Sequence, residues 1–207
     1  MLQIIKRILV LVSGSGTNLQ AIIDAIKSGR LSSVDIRAVI SNKKDAFALH
    51  RAKSSGIETV FLDPKSFINN IDYDKKLVEV ISSYSVDLIV LAGYMRILTD
   101  NFVNAFGNKI INIHPALLPD FGGKGMYGKH VHEAVLKSGR EESGCTVHFV
   151  TTEVDSGPII VQRKIPVIPG DTVESLSKRI LKEEHKLLVE AIEKILVIPA
   201  KAGIQQN

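Results

Sequence analysis

The chain has 207 residues, 45% of them hydrophobic and 5% aromatic, with 26 basic against 22 acidic residues for a net charge of +4. That length and apolar content suit one domain, expected over 1–196, with enough chain to bury a core. The basic residues are dispersed and there is no Trp, which argues against a nucleic-acid binder and leaves an anionic small substrate compatible.

The lone Cys145 excludes an internal disulfide and a Cys-based zinc site, so the chemistry reads as cytoplasmic. Nothing resembles a signal peptide, because Ser13 and Gly14 stop the short run Ile8 to Val12. No run approaches the ~18 apolar residues that would span a bilayer.

In chain order, RILVLV (7–12) reads as a buried parallel strand, and NLQAIIDAIK (18–27) as a helix ending at Gly29. A strand is expected over 34–40, a helix over 45–56 and a short strand over 57–62. A helix over 72–84 leads to the very apolar strand DLIVLAG (87–93), a short helix over 99–107 and a strand over 109–114. Alternating strands and helices imply an α/β fold with a doubly wound, mostly parallel, Rossmann-like sheet. After a helix near 129–138 the pattern changes. CTVHFVTTEV (145–154) and PIIVQRKIPV (158–167) are strand-like runs around Asp155-Ser156-Gly157, as in an antiparallel hairpin. Thr172 opens a long amphipathic helix to about Leu196, with Glu174 only near the capping-box position. The tail 197–207, with Pro199 and Gly203, is expected to fray.

Three stretches carry chemistry. In VLVSGSGTNLQAII a strand ends, small residues turn the chain and a helix begins. Gly14 and Gly16 let a ligand approach the backbone; Ser15, Thr17 and Asn18 are expected to cap; the helix N-terminus offers N–H groups to an anion. No Gly-Lys-Ser/Thr makes it a P-loop, and Leu19 stands where a dinucleotide fingerprint needs its third glycine. An ordinary tight turn remains the alternative.

In INIHPALLP, alternation puts Asn112 and His114 on one face at the end of a late parallel strand, where open α/β sheets bind ligands. The bland alternative is a His-Pro strand end with His114 bonded to a backbone carbonyl. In FVTTEVDSGP, Asp155 is either a turn residue or the carboxylate that orients a proton-carrying His. His130, His132 and Glu133 suggest a metal, but residues two apart on a helix do not share a face, so none is expected.

Together SGSGTNLQAI, LAGYMRIL (91–98), NIHPALLP (112–119) and HFVTTEVDSGP (148–158) resemble the phosphoribosylglycinamide formyltransferases of purine biosynthesis, in order and approximate spacing. The likeness runs from about Arg7 to near Leu196. It implies that the amine of glycinamide ribonucleotide attacks the formyl carbon of the co-substrate 10-formyltetrahydrofolate, without a metal. By the same resemblance Asn112 stabilises the oxyanion, His114 moves protons, and Asp155 holds His114 and raises its pKa. Gly16, Thr17 and Asn18 would hold the phosphate, and Glu184 the ribose. Met95, Arg96, Ile97 and Leu98, with Asn112 and the loop Thr151, Thr152, Glu153 and Val154, would line the folate pocket. Asn70 departs from the family, many of whose members carry a basic side chain near this point for the folate's glutamate tail.

Two related activities stay open on these residues. A formyltetrahydrofolate hydrolase would share Asn112, His114 and Asp155 but carry an extra N-terminal regulatory domain. A methionyl-tRNA formyltransferase would carry a C-terminal RNA-binding domain. Neither region is expected in this sequence. A non-catalytic nucleotide-binding module would leave Asn112, His114 and Asp155 unexplained as a set.

Overall fold

A computed structural model describes residues 4–197. Its strands are β1 (Lys6–Val12), β2 (Val34–Ser41), β3 (Thr59–Phe61), β4 (Leu88–Leu91), β5 (Ile110–His114), β6 (Glu142–Phe149) and β7 (Ile159–Pro166). The helices are α1 (Thr17–Lys27), α2 (Phe47–Ser54), α3 (Asn70–Ser82), α4 (Asp100–Phe106), α5 (Lys129–Lys137) and α6 (Val173–Ile192). The expected frayed tail lies, apart from Val197, outside the described residues.

The strands form one seven-stranded sheet in the order β3-β2-β1-β4-β5-β6-β7. Strands β1 to β5 pair in parallel, whereas β5 with β6 and β6 with β7 are antiparallel. This is the mostly parallel sheet with a C-terminal antiparallel hairpin that the strand–helix alternation implies. Ile8 to Val12 have no exposed surface, because β1 is central and covered on both faces. Alternate residues divide the core. Ile8, Val10 and Val12 pack with Ile22 of α1, Ala48 of α2, Val135 of α5 and Leu187 of α6. Leu9 and Leu11 pack with Leu77 of α3 and Phe102 of α4.

Several expected boundaries shift. Strand β6 starts earlier than 145 and ends at Phe149. Glu142, Ser143 and Gly144 pair with Pro166, Ile165 and Lys164, and Gly144 has no Cβ to meet the Arg163 backbone close behind it. Residues 150–154 leave the sheet as a loop. Strand β4 stops at Leu91, and the following turn is tied to β1 by the Ser13 N–H donating to the Gly93 carbonyl. Helix α6 has a capping box, but Ser175 completes it with Thr172, not Glu174. The helix then ends at Ile192 and continues as a π-type turn over Glu193–Val197.

The order of strands reverses between β1 and β4, so the loops leaving these neighbours diverge and open a crevice at their C-terminal ends. Every candidate stretch borders that crevice or its rim.

Candidate active site

The crevice is a cleft of about 740 Å³. Asn112 and His114 project into it from β5, and Asp155 faces them from the loop between β6 and β7. The His114 Nδ1 lies 3.6 Å from Asp155 Oδ2. The sequence order that puts these residues 41 apart gives no hint of this contact; the antiparallel return of β6 beside β5 makes it.

His114 is 3% exposed, so its ring nitrogens face protein groups and not bulk water. Its Nε2 is 2.7 Å from the Phe121 carbonyl, which can only accept. Nε2 therefore carries the hydrogen, and the neutral ring leaves Nδ1 bare beside Asp155. The bland expectation of a carbonyl-bonded His is thus met by one nitrogen, while the other remains available. Burial pushes the His114 pKa below its ordinary 6.5. Asp155 and the Phe121 carbonyl pull it up but offset only part of that, so the net direction is opposite to the rise implied by the resemblance. The desolvation of a nearly closed site outweighs one carboxylate.

Asp155 sits at φ 56°, a left-handed conformation tolerated by Asp and Asn but costly for most residues. Burial would raise its pKa, yet the charge His114 carries when protonated and the Gly123 N–H hold the carboxyl below the usual range. The Gly123 N–H donates to Asp155 Oδ2 at 3.0 Å from a backbone at φ +93°. A Cβ on Gly122 would stand 2.6 Å from Leu118 Cδ2 and 3.0 Å from Asp155 Cβ. The two glycines after Phe121 are there so that the loop can close on the carboxylate.

His148 is the residue that sequence reasoning missed. It lies directly opposite Asn112 in the β5–β6 ladder, with Asn112 Nδ2 and His148 Nε2 3.2 Å apart. Its Nε2 is also 3.5 Å from Asp155 Oδ1. The available signal was alternation: Thr146 and His148 share a face of β6 just as Asn112 and His114 share one of β5. Thr146 anchors the strand exit, its hydroxyl donating to the Ala116 carbonyl at 2.7 Å and accepting from Leu118 N–H at 3.2 Å.

The glycine turn differs in detail from expectation. Gly16 is the N-cap of α1 at φ 71°, and a Cβ there would meet Ala48 of α2 at 2.5 Å. No side chain caps α1, so neither Ser15, Thr17 nor Asn18 has the expected capping role, and the first-turn N–H groups keep no side-chain partner. Asn18 instead donates through Nδ2 to Glu184 Oε2 at 2.9 Å. The two residues therefore meet at the cleft wall, 166 positions apart in sequence. Burial raises the Glu184 pKa against the opposing pull of Asn18, and Asn18 Oδ1 is buried without a partner. Gly16 and Thr17 stand beside the cleft and do not line it.

Met95, Arg96, Ile97 and Leu98 all line the cleft, as do Thr151, Thr152 and Val154, whereas Glu153 does not line it. Met95 and Ile97 are about half exposed, at 47% and 56%, which presents apolar surface at the cleft. The loop is held by Ser13, whose hydroxyl donates to Asn42 and accepts from Met95 N–H at 2.8 Å, and by Asp74, which accepts from Thr99 N–H at 2.6 Å. Arg96 lies 4.3 Å over the Tyr73 ring and donates to Asn70 Oδ1 at 2.8 Å. Asn70 brings no charge, but it fixes one that Arg96 supplies. Among the described residues no three His, Cys, Asp or Glu side chains gather as a metal cage. His130 is exposed beside Glu133, while His132 on the same helix is buried at the cleft.

The formyl transferase family model matches residues 6–192. The chain belongs to the formyl transferase family. It is 46% identical over 180 residues to the phosphoribosylglycinamide formyltransferase of Escherichia coli, covering 87% of this chain and 82% of that one. A crystal structure of glycinamide ribonucleotide transformylase 1 from Symbiobacterium toebii superposes with a TM-score of 0.85 at 47% identity, over 91% of this chain and 86% of that one. The phosphoribosylglycinamide formyltransferase of Bacillus halodurans gives 0.88 at 34% identity, over 97% and 100%. No described helix is long and apolar enough to cross a membrane.

Proposed function

We infer that the chain transfers the formyl group of 10-formyltetrahydrofolate to the amine of glycinamide ribonucleotide, giving the N-formyl ribonucleotide and tetrahydrofolate in purine biosynthesis. The single observation that carries the mechanism is the facing of His114 Nδ1 and Asp155 Oδ2 beside Asn112 in one cleft. The amine nitrogen attacks the formyl carbon, a C–N bond forms, and the carbonyl electrons move onto oxygen. The Asn112 amide N–H stabilises that oxyanion, a donation worth roughly two to three decades in rate. His114 Nδ1 takes a proton from the attacking nitrogen, and Asp155 stabilises the imidazolium. The intermediate collapses by breaking the bond to the folate nitrogen, which receives the proton. A neutral, buried imidazole suits the first step, and proton transfers of this kind contribute roughly two to four decades.

The ribonucleotide phosphate takes the uncapped start of α1 at Gly16, Thr17 and Asn18, and the ribose hydroxyls take Glu184. The pterin and its linker lie against Met95 to Leu98 and the loop 151–154. The lone cysteine, buried and free, fits a reducing cytoplasmic setting. Turnover of 10-formyltetrahydrofolate measured with and without glycinamide ribonucleotide tests the assignment. Transfer that requires the amine is expected; turnover that ignores it would indicate a hydrolase.

A further inference from the structure

His148 has no role in the chemistry just described, yet it is 1% exposed and touches two of the three proposed catalytic groups. With no solvent to satisfy it, each of its nitrogens must find a partner inside the protein. Nδ1 lies 2.9 Å from the Phe149 carbonyl. A carbonyl only accepts, so Nδ1 carries the hydrogen, and Nε2 of the neutral ring is a bare acceptor. Two groups compete for Nε2. Asn112 Nδ2, at 3.2 Å, brings a hydrogen; Asp155 Oδ1, at 3.5 Å, brings only lone pairs. A bare Nε2 accepts from the amide and cannot bond the carboxylate. Asp155 does not need it, because its other oxygen already accepts from Gly123 N–H and faces His114.

An asparagine amide can sit either way round, and the two orientations exchange a donor for an acceptor. A bare Nε2 permits only one: the NH₂ group must face His148, because the flipped amide would set Oδ1 against a lone pair. Nδ2 then keeps a second hydrogen, bonded to no other group among the described residues, on a residue that lines the cleft. We infer that His148, as the neutral ring protonated on Nδ1, is a positioning residue that locks the Asn112 amide with its N–H available to the formyl oxygen. The inference rests on Asn112 as the oxyanion donor. It adds a requirement that this reading alone lacks, namely which nitrogen of His148 is bare. Had Nε2 carried a hydrogen, it would turn to Asp155 and release the amide to flip.

The side-chain ¹⁵N spectrum of His148 in the resting enzyme tests the proton position directly. A protonated Nδ1 and bare Nε2 are expected; a protonated Nε2 overturns the inference. Kinetics test the consequence. His148→Phe keeps the ring and removes the acceptor, so kcat should fall by at least about tenfold, but by no more than the roughly 10²–10³ of losing the donor itself. The KM values for both substrates should stay within about twofold. His148→Gln restores an acceptor and should recover most of kcat, whereas a Gln variant as slow as the Phe variant overturns the inference. In an Asn112→Ala background His148→Phe should cost nothing further, and an undiminished loss there shows that His148 does not act through Asn112. If Asn112→Ala alone turns over at full rate, the oxyanion reading itself fails, a result distinct from any of these.

Discussion

Replacing Asp155 with Asn removes a charge and little else. Asn fits the same hydrogen-bonding space and tolerates the φ of 56° that most residues would resist. The carboxylate lies 3.6 Å from His114 Nδ1, with side-chain exposures of 11% and 4%, so solvent screens the pair little. At an effective dielectric of about 20, unit charges at that distance interact by about 4–5 kcal/mol. In the transition state the proton is only partly on the imidazole. Half of the interaction, about 2 kcal/mol, sets a lower bound of roughly 30-fold on the loss of kcat, and the whole sets an upper bound of roughly 2,000-fold. The pH–rate profile carries a second signature. His114 already titrates below 6.5 because of burial, and Asp155 is the largest pull upward. Without it the limb belonging to His114 should move to still lower pH. Initial rates across a pH series, wild type against variant, measure both effects. An Asp155→Asn enzyme with unchanged rate and unmoved limb refutes the electrostatic role and leaves Asp155 a turn residue.

Three further outcomes are expected. Gly16→Val places a Cβ against Ala48 at a positive φ, so it should weaken glycinamide ribonucleotide binding far more than folate binding, and calorimetry with each ligand would detect equal losses if the turn served neither in particular. Glu184→Gln keeps the hydrogen bond to Asn18 possible but changes the partner offered to the ribose, so KM for the ribonucleotide should rise by about tenfold or more while KM for the folate stays put. His132, like His114, is held below 6.5 by burial, so between that lowered value and 6.5 the unfolded chain binds more protons than the folded one. Stability from both is complete above about 6.5 and is lost as the pH falls through that window; thermal melts should show this drop, and His132→Phe should flatten it.

Much of this was legible in the sequence. The run ILVLV and the strand–helix alternation imply the parallel sheet, and period-two alternation puts Asn112 and His114 on one face. The limits are equally physical. Residues 142–144 precede the run expected to be strand, yet they are strand because the missing Cβ of Gly144 admits the Arg163 backbone. His148 obeys the same alternation as His114, but its pairing with Asn112 depends on the antiparallel register of β6, which no local pattern encodes. Glu184 meets Asn18 only because α6 crosses back over α1 to close that face of the sheet. Resemblance to the family pointed to Asp155, which spacing left open as a turn residue, and to Glu184, which spacing did not mark. It did not supply the direction of the His114 pKa, which depends on how deeply the fold buries the ring.

The most direct test follows the transferred carbon. With 10-formyltetrahydrofolate labelled at the formyl carbon and glycinamide ribonucleotide present, a single turnover should place the label in the N-formyl ribonucleotide, and Asp155→Asn should slow that appearance without diverting it. Label recovered as formate, whether or not the amine is present, would contradict formyl transfer by Asn112, His114 and Asp155.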